Sequence, residues 1–243
     1  MSHIQTSHTP EFNSNLAELR LLHIADSSLP IGALAHSFGI ETLVSREFLS
    51  VKMLLYFFEI YLAEAGLLEA VFCRAAFRLV SPAHESFPAQ QWVELNDRLS
   101  ARKSARESRA GSAALGHNFL KAILNFGSFP SLQEAWNASR QCAGLIHHSP
   151  AFGLAAAALG LLEDGAILAN LHQNIASLVS ACQRLMPLGQ TEAMQILWNL
   201  KPAMIECAER SSKCGIENVV SFTPMLDWGA MEHPALATRL FVS

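Results

Sequence analysis

Charged residues are scarce in this chain. Only 16% of its 243 residues are Asp, Glu, Lys or Arg, whereas 51% are hydrophobic, and the formal net charge is −4. A general nucleic-acid-binding protein needs an excess of Lys and Arg to displace counterions from phosphates, so the composition disfavours that class. Because few charged side chains are available to cover the surface, we expect apolar patches, which usually mark contacts with other proteins.

Cysteine pairs and nucleotide-binding loops are also missing. The cysteines are odd in number and form no Cys-x-x-Cys pair, which disfavours a disulfide framework and a zinc ribbon. They are Cys73, Cys142, Cys182, Cys207 and Cys214. Reduced thiols favour a cytoplasmic protein. No Gly-x-x-x-x-Gly-Lys-Ser/Thr sequence occurs, so we do not expect the chain itself to bind and hydrolyse GTP through a P-loop.

Neither a secretory signal nor a membrane span is predicted. Residues 1–15 are polar, so we expect a disordered N-terminal lead rather than a signal peptide. The most apolar window, residues 141–162, contains two histidines, a serine and a proline. Its continuous apolar run, residues 151–162, is too short to cross a bilayer. We therefore expect no membrane contact.

The dominant pattern is an apolar residue at helical intervals, with no convincing alternation of the kind that marks strands. It predicts helices over residues 50–80, 88–126, 131 onward, 151–162, 168–185, 191–200 and 202–211. Ser50, Ser131 and Thr191 are the expected N-caps. The prediction is an all-α fold: one helical-bundle-like domain over residues 16–220, then an extended partner-binding tail over residues 221–243.

A break between two helical segments provides the first candidate site. Pro30 lacks an N–H and disfavours helical geometry at Leu29, while Gly32 permits backbone angles that other residues resist. Ser37 is then placed to cap a new helix. Four polar or ionisable residues fall close together in this segment: Asp26, His36, Ser37 and Glu41.

This grouping permits two interpretations. A hydroxyl beside an imidazole is the beginning of a nucleophilic site, so an independent helical hydrolase centred on His36, Ser37 and Glu41 is an alternative. Adjacent residues rarely align as nucleophile and base, and the spacing defines no catalytic site. We favour a cap for Ser37 and a structural or interface role for His36.

Soft metal ligands form a second group. Cys142, His147 and His148, with His172 elsewhere, could hold Ni²⁺ or Zn²⁺. Adjacent histidines on a helix point in different directions, so packed histidines are favoured over a structural metal. A weak transit site stays open, because an ion that passes between proteins needs ligands that release it. A metal-binding sensor or storage protein is thus a further alternative.

Arginines supply two more candidate contact regions. Four recur at spacings that predict a stripe on one helical face: Arg98, Arg102, Arg106 and Arg109. Such a stripe suits an acidic partner or a solvated face with neighbouring acidic residues. In the tail, Arg239 and Phe241 form an aromatic–arginine pattern typical of an interface anchor, which we favour over a frayed terminus.

Five segments, in order, resemble the urease accessory protein UreF family. They are Leu-Pro-Ile-Gly with His-Ser-Phe-Gly-Ile-Glu-Thr (29–32 and 36–42), Arg-Lys-Ser-Ala-Arg-Glu-Ser-Arg (102–109), His-Ser-Pro-Ala-Phe-Gly (148–153), Arg-Leu-Met-Pro-Leu-Gly-Gln-Thr (184–191), and Met-Glu-His-Pro with Thr-Arg-Leu-Phe (231–234 and 238–241). The resemblance covers residues 16–243. Leu34 departs from it, since relatives often carry an aromatic residue there.

The resemblance implies an all-helical, homodimeric, non-enzymatic protein of the cytoplasm that helps insert nickel into apo-urease. UreF-like proteins join UreD, also called UreH, and the GTPase UreG. In that complex UreG supplies the GTP site and the nickel chemistry, UreD contacts urease, and the UreF-like chain bridges and regulates them. The family implies no tightly bound cofactor and at most transient contact with nickel.

The resemblance also implies where the contacts lie. The leading candidates for the dimer and UreD contacts lie in the break and the tail: Leu29, Pro30, Leu34, His36, Ser37, Glu41, Arg239 and Phe241. The face carrying Arg102, Arg106 and Arg109 is a secondary candidate. No catalytic residue is expected.

Overall fold

The computed structural model describes residues 10–81 and 86–243, and this part of the chain contains helices and no strand. The α-helices are α1 (Pro10–Ile24), α2 (Ile40–Ser45), α3 (Leu54–Tyr61), α4 (Leu67–Arg78), α5 (Ala89–Arg102), α6 (Arg106–Leu124), α7 (Pro130–Gln141), α8 (His148–Ala158), α9 (Glu163–Leu185), α10 (Gln190–Asn199), α11 (Lys201–Lys213) and α12 (Pro224–Glu232). The all-α class predicted from apolar spacing is confirmed.

Helices α3 and α4 form one long element. A π-helical turn, Leu62–Gly66, joins them, and the residues at both junctions keep right-handed helical angles. The apolar side chains of Phe58, Leu62 and Phe72 are buried along its length. The helix predicted over residues 50–80 is therefore present, with one wide turn in its middle.

Helix α8 lies at the centre of the molecule. Every residue from His148 to Ala156 is buried, and the helix packs against α4, α6 and α9. At Gly153 the backbone of α4 comes so close that a Cβ atom would lie 2.0 Å from the carbonyl oxygen of Cys73. Small residues thus permit the close approach that the alanine run predicted. Among the described helices, none is long and apolar enough to cross a membrane.

Some helix boundaries differ from the prediction. α5 ends at Arg102 and α6 begins at Arg106, so the continuous helix expected from residue 88 to residue 126 is wrong. Ser131 and Thr191 lie inside the first turns of α7 and α10, whose N-cap residues are Phe129 and Gly189. The first residue of α7 is Pro130. Proline is tolerated at this position because the N–H that it lacks would have no hydrogen-bond partner within the helix.

Both ends of the chain are more helical than the sequence suggested. α1 begins at Pro10, so residues 10–15 are helical where disorder was expected, and the rest of that lead, residues 1–9, lies outside the described residues. Helix α1 is held because Ala17 and Leu21 pack on the core. The tail is not extended throughout: it contains α12 and a 3₁₀ turn, His233–Ala235.

Candidate partner-binding site

The tail, residues 221–243, folds back along the turn formed by residues 29–41. The N–H of Val242 donates to the carbonyl oxygen of Ala35 at 2.8 Å. The N–H groups of Ser37 and Phe38 donate to the backbone oxygen of Ser243, the second at 3.2 Å. Phe38 has a φ of 51°, in the left-handed region, which lets two successive N–H groups face one acceptor. The two regions that the sequence indicated separately therefore lie together.

Glu41 joins the turn to the tail. Its side-chain Oε1 accepts a hydrogen bond from the N–H of Leu240 at 2.7 Å, and Oε2 accepts one from Phe241 at 3.2 Å. Only 4% of Glu41 is exposed. A buried carboxylate is stable only where its oxygens are hydrogen-bonded, so Glu41 depends on the tail as much as the tail depends on Glu41.

His233 completes this buried cluster. The imidazole is 0% exposed, its Nε2 lies 2.8 Å from Glu41 Oε2, and its Nδ1 lies 2.7 Å from Glu107 Oε2. Arg239 Nη1 lies 3.7 Å from the other oxygen of Glu107, Oε1. Elements distant in sequence, α2, α6 and the tail, are thus connected through one side chain.

His36 and Ser37 each make contacts that serve the docked tail. His36 Nδ1 lies 2.7 Å from the hydroxyl of Ser243, and burial lowers the pKa of the imidazole. The Ser37 hydroxyl accepts a hydrogen bond from the N–H of Glu41 at 3.4 Å. The two side chains therefore contact different partners, which gives no support to a serine nucleophile activated by His36. The Ser37 hydroxyl thus forms a hydrogen bond in the first turn of α2, as a capping residue would, but the residue at the N-cap position is Gly39.

The aromatic anchor of the tail is Phe241. Its side chain is 5% exposed, and the guanidinium carbon of Arg184 lies 4.3 Å from the centre of its ring. The same guanidinium donates from Nη1 to the carbonyl oxygen of Leu34 at 2.6 Å. Arg184 therefore holds the tail against the turn by a cation–π contact and a hydrogen bond.

Exposed apolar side chains, called the apolar edge here, lie on the docked tail and beside it. Leu29 is buried and Pro30 is exposed. The edge consists of large apolar side chains that stay exposed in this arrangement: Leu34, Phe48, Trp228, Leu240 and Val242. Phe48 and Trp228 pack edge to face, with ring centres 5.5 Å apart. In the seam, which is the contact between residues 29–41 and the tail, Glu41 and His233 are buried, whereas these apolar side chains face outward.

The predicted arginine stripe does not exist. Extended residues between α5 and α6 separate Arg98 and Arg102 from Arg106 and Arg109. Arg102 Nη2 donates to the carbonyl oxygen of Ile216 at 2.7 Å. Arg109 Nη1 donates to the carbonyl oxygens of residues 103 and 104, at 2.5 and 2.9 Å. Two of the candidates thus hold their own chain in place, while Arg106 is exposed.

The candidate metal ligands lie in different surroundings. His147 is enclosed by two hydroxyl groups, with Nε2 2.7 Å from Ser100 Oγ and Nδ1 3.0 Å from Ser112 Oγ. Burial lowers the pKa of both His147 and His148 to about 4. Cys142 is exposed. In residues 10–81 and 86–243 no group of three His, Cys, Asp or Glu is arranged to hold a metal ion. The weak transit site stays a prediction.

A cavity of about 120 Å³ lies beside α8. Its lining includes the Lys103–Glu69 ion pair, His148 and Gln173. Burial alone would raise the pKa of the Glu69 carboxyl, but the charge and hydrogen bond of Lys103, together with a hydrogen bond from Ser149 and the charge of His147, lower it. Within the described part of the chain, His148 Nε2 and Gln173 Oε1 have no hydrogen-bond partner.

The sequence indicated most residues of the seam, but it did not indicate that two of them, His233 and Glu107, are in contact. Glu41, His36, Ser37, Arg239 and Phe241 were singled out and lie together. His233 and Glu107 were not connected, although His233 falls within the Met-Glu-His-Pro segment. Glu107 falls within the segment 102–109, so both residues lie in segments that resemble the family, and that is the sequence signal that could have indicated them. The role of all these residues in binding another protein stays a prediction.

Comparison with known proteins gives the family. The UreF family model matches residues 52–201. A urease accessory protein UreF of Haemophilus influenzae (strain PittGG) is 30% identical over 233 residues, which is 95% of this chain and 98% of that protein. A urease accessory protein UreF of Bacillus sp. (strain TB-90) is 28% identical over 227 residues, 93% and 98% of the two chains. The one from Actinobacillus pleuropneumoniae serotype 5b (strain L20) is 29% identical over 226 residues, 92% and 97%. The resemblance seen in the five sequence segments is confirmed, and the chain belongs to the UreF family of urease accessory proteins.

Proposed function

We propose that this chain is a non-enzymatic subunit that bridges UreD (UreH) and the GTPase UreG and supports GTP-dependent insertion of nickel into apo-urease. In this proposal it works in the cytoplasm as a homodimer and holds no tight cofactor. UreG binds the GTP, and nickel contacts the chain only in passage. Family membership supports the accessory role, and the relatives are named for it.

One observation carries the partner-binding part of the proposal: the docked tail carries the exposed apolar edge. Trp228, Leu240 and Val242 belong to the tail, and Leu34 and Phe48 flank it. Removing apolar surface from water stabilises an interface by roughly 25 cal/mol for each Å² buried. A partner that covers this edge would therefore gain free energy from residues that water now surrounds. We assign the UreD contact to it.

Regulation of the GTPase follows from the bridging role. A bridging subunit shifts a conformational equilibrium only if it binds one state better than the other. This coupling arises when the chain has two contact surfaces that both include part of the tail. Binding of one partner then changes the packing of the tail, and that change alters the surface that binds the other partner. In this proposal the nucleotide state of UreG is thus sensed through the packing of the tail.

Transient nickel contact is assigned to His148. Its imidazole is neutral near pH 7, because burial lowers its pKa to about 4, and its Nε2 is free of protein partners among the described residues. A neutral imidazole nitrogen is a suitable ligand for Ni²⁺. A single such ligand binds weakly, as a site that must release its ion requires.

The experiment that tests the bridging role is co-purification with UreD and UreG. Arg239 is the variant of choice, because 45% of its side chain is exposed and its contact with Glu107 is long at 3.7 Å. Replacing it by Ala should leave the fold unchanged and weaken association about tenfold, the effect of losing one moderate interface anchor. Circular dichroism verifies the fold, and a titration of the complex gives the affinity.

Arg140→Ala is the matched control. Arg140 is exposed at the end of α7, and its replacement by Ala removes the same positive charge. It should bind as the wild type does. Equal losses from the two variants would show a general charge effect and refute the assignment to the tail. A well-folded wild-type chain that associates with neither protein would refute the bridging role itself.

A further inference from the structure

Helix α9 carries polar side chains on a side that faces the interior. Asn170, Gln173, Asn174 and Ser177 follow one another at spacings of three, one and three residues, which places them on one side of the helix. Asn170 is 0% exposed and Gln173 is 4% exposed. Buried helix faces are usually apolar, because polar groups are costly to remove from water unless they are hydrogen-bonded. This side of α9 therefore needs polar partners inside the molecule.

The cavity beside α8 lies against this side of α9. Gln173, Asn174 and Ser177 line it, together with the buried residues Ser112 of α6 and Ser149 of α8. Its volume is about 120 Å³. Since a water molecule occupies about 30 Å³ in the liquid, the cavity has room for a few water molecules or for one small organic molecule. A ligand as large as a nucleotide is excluded.

Gln173 presents a hydrogen-bond acceptor without a partner. Its Nε2 donates to the carbonyl oxygen of Ile24 at 3.4 Å, whereas its Oε1 has no hydrogen-bond partner within the described ranges. A buried acceptor that is left unpaired loses its hydration without compensation. The oxygen is therefore suited to a ligand that donates a hydrogen bond.

His148 presents a second acceptor of this kind. Burial lowers its pKa to about 4, although a hydrogen bond with the Asn174 side chain raises it, so the ring is neutral near pH 7. A hydrogen bond that raises the pKa of an imidazole is one that the imidazole donates. Nε2 has no partner in residues 10–81 and 86–243, so the donating nitrogen is Nδ1, and Nε2 carries a lone pair.

The charges in the lining of the cavity balance. Glu69 and Asp227 supply two carboxylates, and Arg102 and Lys103 supply two cations. Lys103 is already paired with Glu69. A charged ligand would lose its hydration without meeting a net opposite charge, so the lining favours an uncharged molecule.

We propose that this cavity binds small uncharged hydrogen-bond donors, whose O–H or N–H groups donate to His148 Nε2 and Gln173 Oε1. The unpaired acceptors select a donor, the balanced charges select a neutral molecule, and the volume limits its size. Water and small amides share this chemistry. The inference goes beyond the nickel contact proposed above, because a donor held on His148 Nε2 must leave before a metal ion binds there.

Methyl NMR of the full chain with three probes of the same shape tests the proposal. Acetamide is neutral and donates through its amide group, acetate is an anion that only accepts, and acetamidinium is a cation. Acetamide should cause saturable shifts of the methyl signals of Leu115 and Leu178, which line the cavity from α6 and α9. The two charged probes should bind at least about tenfold more weakly. Leu200, which is buried elsewhere, provides the control signal.

Water at the same site is detected by cross-relaxation between water protons and the methyl groups of Leu115 and Leu178. Water contacts that persist in acetamide, without acetamide-induced shifts, identify water as the ligand. Water contacts that acetamide displaces show that a small amide binds there too. A dry apolar cavity binds xenon instead. Xenon-induced shifts at these methyl groups without water contacts, or equal binding of the three probes, would overturn the proposal.

Gln173→Leu is the informative variant, because it removes an acceptor and keeps a side chain of similar size. The affinity for acetamide should fall at least about tenfold, and water cross-relaxation should decrease with it. Gln133→Leu is the control, since Gln133 is exposed on α7 and bonds only to Asn137 nearby, and it should behave as the wild type does. Unchanged binding of acetamide and water in Gln173→Leu would count against the site and overturn the proposal.

The three probes are compared on the wild-type chain, so the test does not depend on the folding of a variant. All of these outcomes concern the isolated chain and are distinguishable from failure of the proposed function. Failure to bind UreD or UreG would refute the bridging role whatever the cavity binds.

Discussion

Two glycines determine how closely the tail approaches the turn. Gly39 has a φ of 94°, in the left-handed region, and a Cβ there would lie 2.6 Å from the carbonyl oxygen of Leu226. A Cβ on Gly229 would lie 2.7 Å from the carbonyl oxygen of Gly39. Helices α2 and α12 therefore meet backbone to backbone, and a side chain at either position would separate them.

Gly229→Ala should destabilise the docked tail by about 1–3 kcal/mol, even though Ala favours a helix more than Gly does. The clash is with backbone, which cannot rotate away. Limited proteolysis of residues 221–243 and urea unfolding provide the measurements. Gly215→Ala is the control, because nothing lies within 4 Å of a Cβ there. Equal protease resistance of the two variants would contradict the packing described.

Two buried histidines make the centre of the molecule sensitive to acid. Burial lowers the pKa of His147 and His148 from 6.5 to about 4, so both rings stay neutral in the folded chain. Between these values the unfolded chain binds more protons, so the free energy of unfolding should decrease as the pH falls from about 6.5 to about 4. Urea titrations over this range test the sign.

His148→Gln should make that pH dependence shallower, since one of the two protons taken up on unfolding is removed. An unfolding free energy that rises on acidification would contradict the neutral state of these rings.

At the level of individual side chains, the sequence was informative where chemistry is local. His36, Ser37 and Glu41 were recognisable because they are close in sequence. Their connection to His233 was not, because 192 residues separate it from Glu41 and no spacing rule applies over that distance. The hydroxyl next to His36 also permits a nucleophile from sequence alone, but in the structure this hydroxyl accepts from the N–H of Glu41 and the imidazole contacts Ser243.

Among the helices, α4, α9 and α11 meet at one buried arginine. Arg74 Nη1 lies 2.9 Å from Glu163 and 2.8 Å from Asp164 in the first turn of α9. Its Nε donates to the Ser211 hydroxyl, and Nη2 donates to the carbonyl oxygen of Ala208 on α11, both at 3.2 Å. The side chain is 3% exposed, so these partners replace nearly all of its hydration.

Arg74→Ala should therefore destabilise the fold by about 1–3 kcal/mol, because buried groups on α11 lose a charged hydrogen-bond donor and α9 loses two ion pairs to α4. Arg78→Ala is the matched control. Arg78 also pairs with Glu163, at 2.6 Å, but its side chain is 58% exposed. Its loss should cost about 0–1 kcal/mol. Denaturant titrations of both variants measure the difference, and similar costs would contradict a structural role specific to Arg74.

Apolar periodicity predicted where helices lie better than where they end. The spacing of apolar residues shows which face of a helix is buried, and this spacing can be read from the local sequence. The break after Arg102 is accompanied by side-chain contacts that the period does not record: Lys103 pairs with the distant Glu69, and the nearby Arg109 binds the carbonyl oxygens of residues 103 and 104. The arginine stripe was wrong for this reason, since its spacing assumed an unbroken helix.

Over the whole molecule, the low content of charged residues is accompanied by apolar side chains that are exposed on the surface. The tail covers the polar groups of the turn but leaves apolar side chains exposed around them. This arrangement fits a subunit that completes its surface with other proteins, and the composition predicted such a subunit before any contact was known. The sequence could not show that the tail itself would be helical and docked, because that depends on contacts between α12 and α2.

The most direct test is nickel-dependent urease activation reconstituted from apo-urease, UreD, UreG, GTP and this chain. The account predicts that activity appears only when the chain is present and that Arg239→Ala lowers it at equal protein concentration. Arg140→Ala should activate as the wild type does. Full activation without the chain, or none with a folded chain and functional partners, would contradict the proposed role.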